Sequence, residues 1–142
     1  MTDSEDARFE LREHTADVGV AATGDTLGDL FAAFGDGLTA CMCDAFPDTG
    51  ERFSFTVRAE NREAALFDYL DQLIYERDVR LVLPVDNEAI VSEEDGEWVV
   101  EASARGVPLA DVTARDIKAV TYAEMRIEET PAGWEGYVVF DA

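Results

Sequence analysis

Two stretches of this chain repeat apolar residues at helical spacing, and segments of alternating apolar and polar residues surround them. Asp25 is expected to cap the first helix, and Asn61 the second, with Glu63 in its first turn. The expected buried stripes are Leu27, Leu30, Phe31, Phe34, Leu38 and Met42 in the first helix, and Leu66, Phe67, Leu70, Leu73 and Ile74 in the second. Each stripe must pack against another layer of structure, so two helices are embedded among strands.

Short alternating segments indicate β-strands over most of the remaining chain. The expected strands are 9–11, 18–22, 53–59, 79–85 with an end near Pro84, 88–92, 98–104, 125–128 and 134–140. Asp95-Gly96 is expected to form the turn of a hairpin between 88–92 and 98–104. At 142 residues the chain fits one domain. The pattern therefore predicts the α+β class: a single domain with mixed or antiparallel β-sheets and two main helices.

Acidic residues dominate the composition. The chain has 32 Asp and Glu against 11 Lys and Arg, a net charge of -21, and Lys118 is its only lysine. The acidic residues are spread along the whole chain, which is typical of adaptation to molar salt and indicates a haloarchaeal cytoplasm. Nucleic-acid affinity depends on Lys and Arg, so no direct high-affinity binding to nucleic acid is expected.

No apolar run approaches the length needed to cross a membrane, and the acidic start of the chain does not resemble a secretion signal. We therefore expect a cytoplasmic protein without a membrane partner. The only cysteines, Cys41 and Cys43, are too close for an unstrained disulfide and too few for a zinc site. Both are expected to be small core residues.

Few residues offer chemistry. His14 is the only histidine, which excludes schemes that need two, and with Asp17 nearby it is typical of a local hydrogen-bonding pair. Asp141 and the carboxylate of Ala142 are neighbouring anions. With Asp17 alongside, they would form an oxygen-rich site suited to Ca²⁺ or Mg²⁺. From the residues alone, a terminus that frays into solvent is the favoured alternative.

Asp116 and Lys118 allow two interpretations. They could form an ion pair at the start of a helix or a functional pair. An exposed pair contributes only about 0–1 kcal/mol, so stability alone does not require the lysine.

Five segments together resemble the archease family. They are His-Thr-Ala-Asp-Val-Gly at 14–19, Thr-Leu-Gly-Asp-Leu-Phe at 26–31, the apolar helix at 66–75, Ile-Lys-Ala-Val-Thr-Tyr at 117–122 and Val-Val-Phe-Asp-Ala at 138–142. The resemblance covers residues 9–142 and leaves 1–8 as an acidic N-terminal extension. It implies an accessory protein, not an enzyme. Such a protein activates the GTP-dependent tRNA-splicing 3'-phosphate RNA ligase by promoting its guanylylation and multiple turnover.

The resemblance also implies a bound divalent cation, Ca²⁺ first, with Mg²⁺ or Mn²⁺ as alternatives. The metal ligands it implies are Asp17, Asp141 and Ala142, and the accessory or partner-facing residues are His14, Asp44, Lys118 and Tyr122. The family usually has His after the Lys-Ala-x-Thr-Tyr run. This chain has Ala123 there, so any role of that imidazole is absent.

Two other classes of function stay open at this stage. One is a chaperone-like module that binds proteins by surface contact without metal. The other is a stand-alone metal-dependent hydrolase that uses Asp17 and Asp141. It ranks last, because one histidine and no evident nucleophile leave the acid–base chemistry unassigned.

Overall fold

A computed structural model describes residues 9–13 and 17–142 of the chain. Its elements are β1 (Phe9–Glu13), β2 (Asp17–Gly24), α1 (Leu27–Met42), β3 (Glu51–Ala59), α2 (Arg62–Arg80), β4 (Val82–Glu94), β5 (Glu97–Pro108), a 3₁₀ turn (Leu109–Asp111), β6 (Ala119–Thr130) and β7 (Gly133–Asp141). The predicted extension at 1–8 and His14 lie outside the described residues. Two helices and two antiparallel sheets in one domain confirm the predicted α+β class.

The strands form a four-stranded sheet of order β1-β2-β7-β6 and a three-stranded sheet of order β3-β5-β4. Helix α1 contacts β2 of the first sheet and β4 of the second, and α2 contacts β6 and β3. Both helices therefore lie between the sheets and share one apolar core. The largest fully buried side chains in it are Tyr69, Phe31, Phe34, Phe140, Leu30 and Leu38.

The helix starts follow local capping chemistry. The Asn61 Oδ1 accepts the Ala64 N–H at 2.8 Å, which confirms the predicted cap of α2. The predicted cap of α1 is wrong by one residue, because the Thr26 Oγ1 accepts the Asp29 N–H at 3.0 Å. The predicted apolar stripes are buried, except that Phe67 is only half-buried.

The predicted strand at 79–85 is wrong at both ends. Helix α2 continues to Arg80, Leu81 ends it with a φ of 57°, and β4 then runs from Val82 through Pro84 to Glu94. Proline lacks an N–H, yet β4 is an edge strand paired only with β5, so the missing donor need not interrupt the sheet. Pairing shifts between Val85 and Glu88, which is where two separate strands were predicted.

The hairpin between β4 and β5 is confirmed. Asp95 and Gly96 have φ values of 52° and 82°, as a two-residue type I′ turn requires. Strand β6 is longer than the predicted 125–128, because an irregularity between Thr121 and Arg126 interrupts its pairing with β7 without ending it.

Cys41 and Cys43 are buried free thiols, which confirms that they belong to the core. Burial raises the pKa of Cys41 to about 11. Among the helices of the described chain, none is both long and apolar enough to span a membrane.

Candidate functional site

The end of the four-stranded sheet brings two predicted ligands together. Strand β7 lies between β2 and β6, and its Asp141 is directly opposite Asp17 on one side and Ala119 on the other. Side chains of directly opposed residues in an antiparallel pair leave the same face of the sheet, with Cβ atoms about 4.5–5.5 Å apart. The two carboxylates are therefore neighbours, although they lie near opposite ends of the sequence.

The neighbouring row of the sheet shows which face carries this pair. Val18, Phe140 and Val120 are opposed across the same strands, and all three belong to the apolar core or pack against it. Because side chains alternate along a strand, Asp17 and Asp141 project from the opposite, outer face. Asp17 is partly buried and Asp141 is exposed, so solvent and ions can reach the pair.

The only lysine of the chain is linked to Asp141 through the backbone. The Lys118 backbone N–H donates a hydrogen bond to the Asp141 carbonyl at 2.8 Å, and the residue is exposed. Two unit charges at about 5 Å, the general spacing of opposed Cβ atoms, repel by about 0.8 kcal/mol in water. A bound cation would offset that repulsion.

The donors suit a hard cation, since Asp17 and Asp141 offer only oxygen ligands. Within residues 9–13 and 17–142, no cluster of three or more His, Cys, Asp or Glu side chains could hold a metal ion. The pair thus supplies two carboxylates. A third protein donor would have to be another kind of group, such as a backbone or terminal oxygen.

An irregular segment, 113–118, leads into this site, and Arg77 of α2 holds it. The Arg77 side chain is 9% exposed, its Nη1 donates to the Ile117 carbonyl at 2.9 Å, and its Nη2 lies 3.4 Å from the Asp116 Oδ1. No helix begins at 113–118, so the interpretation of Asp116 and Lys118 as a helix-start pair is wrong. This role of Arg77 was not predicted, because the residue stands in a run of charged residues typical of an exposed helix.

Two predicted accessory residues make contacts that do not involve Asp17 or Asp141. Asp44 is exposed just after α1 and forms an ion pair with Arg115 at 3.1 Å. Tyr122 is 54% exposed and stacks on Phe67, with ring centroids 4.2 Å apart. Burial, followed by the charges of Asp68 and Glu60, raises the pKa of Tyr122. The structure therefore joins Asp17, Asp141 and Lys118, and gives Asp44 and Tyr122 different neighbours.

Fold and site together define a small α+β protein with paired carboxylates and a lysine at one end of a sheet. A model of the Archease protein family matches residues 9–142, and the chain belongs to this family. It is 32% identical to protein archease of Methanosarcina acetivorans, covering 97% of this chain and 98% of that protein. It is 29% identical to protein archease of Pyrococcus furiosus, covering 94% and 98%.

Two solved structures share the fold. The solution structure of protein 1598 of Methanobacterium thermoautotrophicum superposes with a TM-score of 0.84 at 24% identity, covering 96% of this chain and 99% of that one. The crystal structure of a Thermotoga maritima archease, described as a possible chaperone, gives a TM-score of 0.65 at 23% identity, covering 94% and 96%.

Proposed function

We propose that this archease activates a GTP-dependent tRNA-splicing 3'-phosphate RNA ligase, by promoting its guanylylation and multiple turnover with the help of a divalent cation. The observation that carries the proposal is the register of β2 and β7, which sets Asp17 directly opposite Asp141. Like charges placed opposite each other weaken a sheet. A pair kept at an accessible sheet end is better explained by a ligand than by stability.

Asp17 and Asp141 would hold the cation, Ca²⁺ first, with Mg²⁺ or Mn²⁺ as alternatives, and the carboxylate of Ala142 would be the third donor. When bound there, a divalent cation supplies positive charge that stabilises negative charge developing on phosphate oxygens. Lys118 is exposed, and its backbone N–H binds the Asp141 carbonyl, so its side chain is accessible to a partner at this end of the sheet. The bound cation would offset two of the three negative charges of these carboxylates and present a positive centre to the ligase.

The charge of the whole chain supports a protein partner over RNA. A net charge of -21 repels the phosphate backbone, so contact with RNA would have to pass through the ligase or the cation. In this proposal the chain itself breaks and forms no covalent bond. It acts on the guanylylation of its partner.

The test is multiple-turnover ligation by the cognate RNA ligase at high salt, with guanylylation measured separately. Wild-type protein should stimulate both, and Asp17→Ala should stimulate neither. Glu101→Gln is a matched control, because it also removes one carboxylate from a strand but lies opposite Thr56 and Ile90 in the other sheet. An Asp17→Ala protein that still bound metal and stimulated fully would rule the mechanism out.

A chaperone-like module that acts by surface contact without metal is the second candidate. The exposed Tyr122, which stacks on the half-buried Phe67, favours it, since tyrosine is enriched among the residues that anchor protein interfaces. Under this alternative, wild-type protein would still stimulate the ligase in the presence of a chelator, and Tyr122→Ser would abolish the stimulation. Under the cation mechanism, chelation would remove the stimulation.

A further inference from the structure

We propose that Arg77 is a positioning residue for the carboxylate site, an inference that rests on the proposed function. Its guanidinium fixes the irregular segment 113–118, which in turn fixes Lys118 and Asp141. The contacts of Arg77 link the last turn of α2 to the chain immediately before β6.

Segment 113–118 lacks a helix or strand of its own and is held by hydrogen bonds to several parts of the fold. At its upstream end, the Arg115 N–H donates to the Met42 carbonyl at 2.6 Å, and the Arg115 Nε donates to the Cys41 carbonyl at 3.1 Å. At its downstream end, Arg77 binds the Ile117 carbonyl. These contacts replace the hydrogen bonds that regular structure would supply.

The Arg77 guanidinium meets groups on three parts of the fold. Besides Ile117 and Asp116, it contacts the Asp78 Oδ1 on its own helix, with Nη2 at 2.9 Å, and the Met42 Sδ at the end of α1, at 3.3 Å from Nη1. A forked, planar group can satisfy acceptors in several directions at once, which a lysine cannot do.

Stability alone is a weak reason for such a group. Burying the Arg77 guanidinium loses hydration that its hydrogen bonds and ion pairs only partly recover, and well-packed apolar residues often stabilise a fold as well. A directional network fixes the geometry of the groups it binds. Here the fixed groups are the backbone of Ile117 and the side chain of Asp116, immediately before Lys118.

The path from Arg77 to the carboxylates is short. Lys118 follows Ile117 directly, and its N–H binds the Asp141 carbonyl. Asp141 is opposite Asp17. If the Ile117 carbonyl is released, the end of β7 loses its support from 113–118, and the spacing of the two carboxylates becomes less defined.

Two measurements on Arg77→Met test this inference. Calorimetry with Ca²⁺ as the probe should show affinity falling about tenfold, the lower end of the loss seen when residues that orient metal ligands are removed. Amide hydrogen exchange should show the Lys118 N–H exchanging on the order of tenfold faster, as expected for a local opening. Arg80→Met is the control, because it removes the same charge from the same helix, where Arg80 pairs with Glu76. It should change neither measurement.

The outcomes separate positioning from a purely structural role. Should Arg77→Met lower the melting temperature but leave both Ca²⁺ affinity and Lys118 exchange unchanged, the inference is overturned. If Arg77→Met does not fold, Arg77→Lys decides by the same measurements, since it keeps the charge and loses the fork. If wild-type protein binds no Ca²⁺, the proposed cation fails, and exchange of the Lys118 amide alone decides the role of Arg77.

Discussion

Replacing Asp17 by Asn should stabilise the protein when no divalent cation is present, and should make it less stable than the wild type when the cation is bound. Without the cation, the change removes a carboxylate that lies directly opposite Asp141. At about 5 Å, two unit charges repel by about 0.8 kcal/mol in water, and opposed like charges in sheets cost about 0.2–1 kcal/mol. Asp17→Asn should therefore raise the free energy of unfolding by about 0.5 kcal/mol, equivalent to a melting temperature roughly 1–2 °C higher.

With the cation present, the wild type should be more stable than Asp17→Asn. A ligand at one hundred times its dissociation constant stabilises the folded state by about 2.7 kcal/mol, provided that it binds only that state. Wild-type protein should gain this stabilisation, which corresponds to roughly 8 °C for a chain of this size. Asp17→Asn should gain little, because an amide oxygen is a weaker ligand than a carboxylate.

The assay is thermal unfolding in chelator and in Ca²⁺ at matched ionic strength, since screening of the net charge of -21 would itself change stability. Glu101→Gln should track the wild type in both conditions, because its cross-strand neighbours are uncharged. Neither the repulsion nor the cation site exists if Asp17→Asn has an unchanged melting temperature in chelator and gains as much stability from Ca²⁺ as the wild type.

Two further predictions concern the core around α1. A Cβ at Gly35 would lie 2.7 Å from the Oη of Tyr69, which is fully buried. Gly35→Ala should therefore lower the free energy of unfolding in urea by about 1–3 kcal/mol, and an unchanged midpoint would contradict this packing. Burial raises the pKa of Asp36 above 3.8, against the lowering effect of its hydrogen bonds from Asn87. Between 3.8 and that raised pKa the folded state binds more protons than the unfolded state, so the wild type should lose stability relative to Asp36→Asn as the pH rises through this window. A difference in unfolding free energy between the wild type and Asp36→Asn that does not change with pH would contradict the raised pKa of Asp36.

Local chemistry explains which parts of the fold were predictable. The Asn61 cap and the Asp95-Gly96 turn depend on residues adjacent in sequence, and both predictions are confirmed. The cap of α1 was misplaced because Asp25 and Thr26 are both competent to cap, and only the hydrogen bond to Asp29 distinguishes them. Pro84 was misjudged because its tolerance depends on β4 being an edge strand, which is a property of the whole sheet.

The site depended on information that no local pattern carries. The residues could suggest that Asp17 and Asp141 share a ligand, but their spacing follows from the register of β2 against β7. Arg77 was missed because Glu-Arg-Asp in a helix is typical of a solvent-exposed turn, whereas packing against segment 113–118 buries it. Tertiary contact, rather than residue type, creates its role.

The most direct test of the central claim is a crystal structure of the protein with Mn²⁺, examined by anomalous scattering. One strong peak is expected between the carboxylates of Asp17 and Asp141, and this peak should be lost in Asp17→Asn. A map without a peak at that position, or with the same peak in Asp17→Asn, would contradict it.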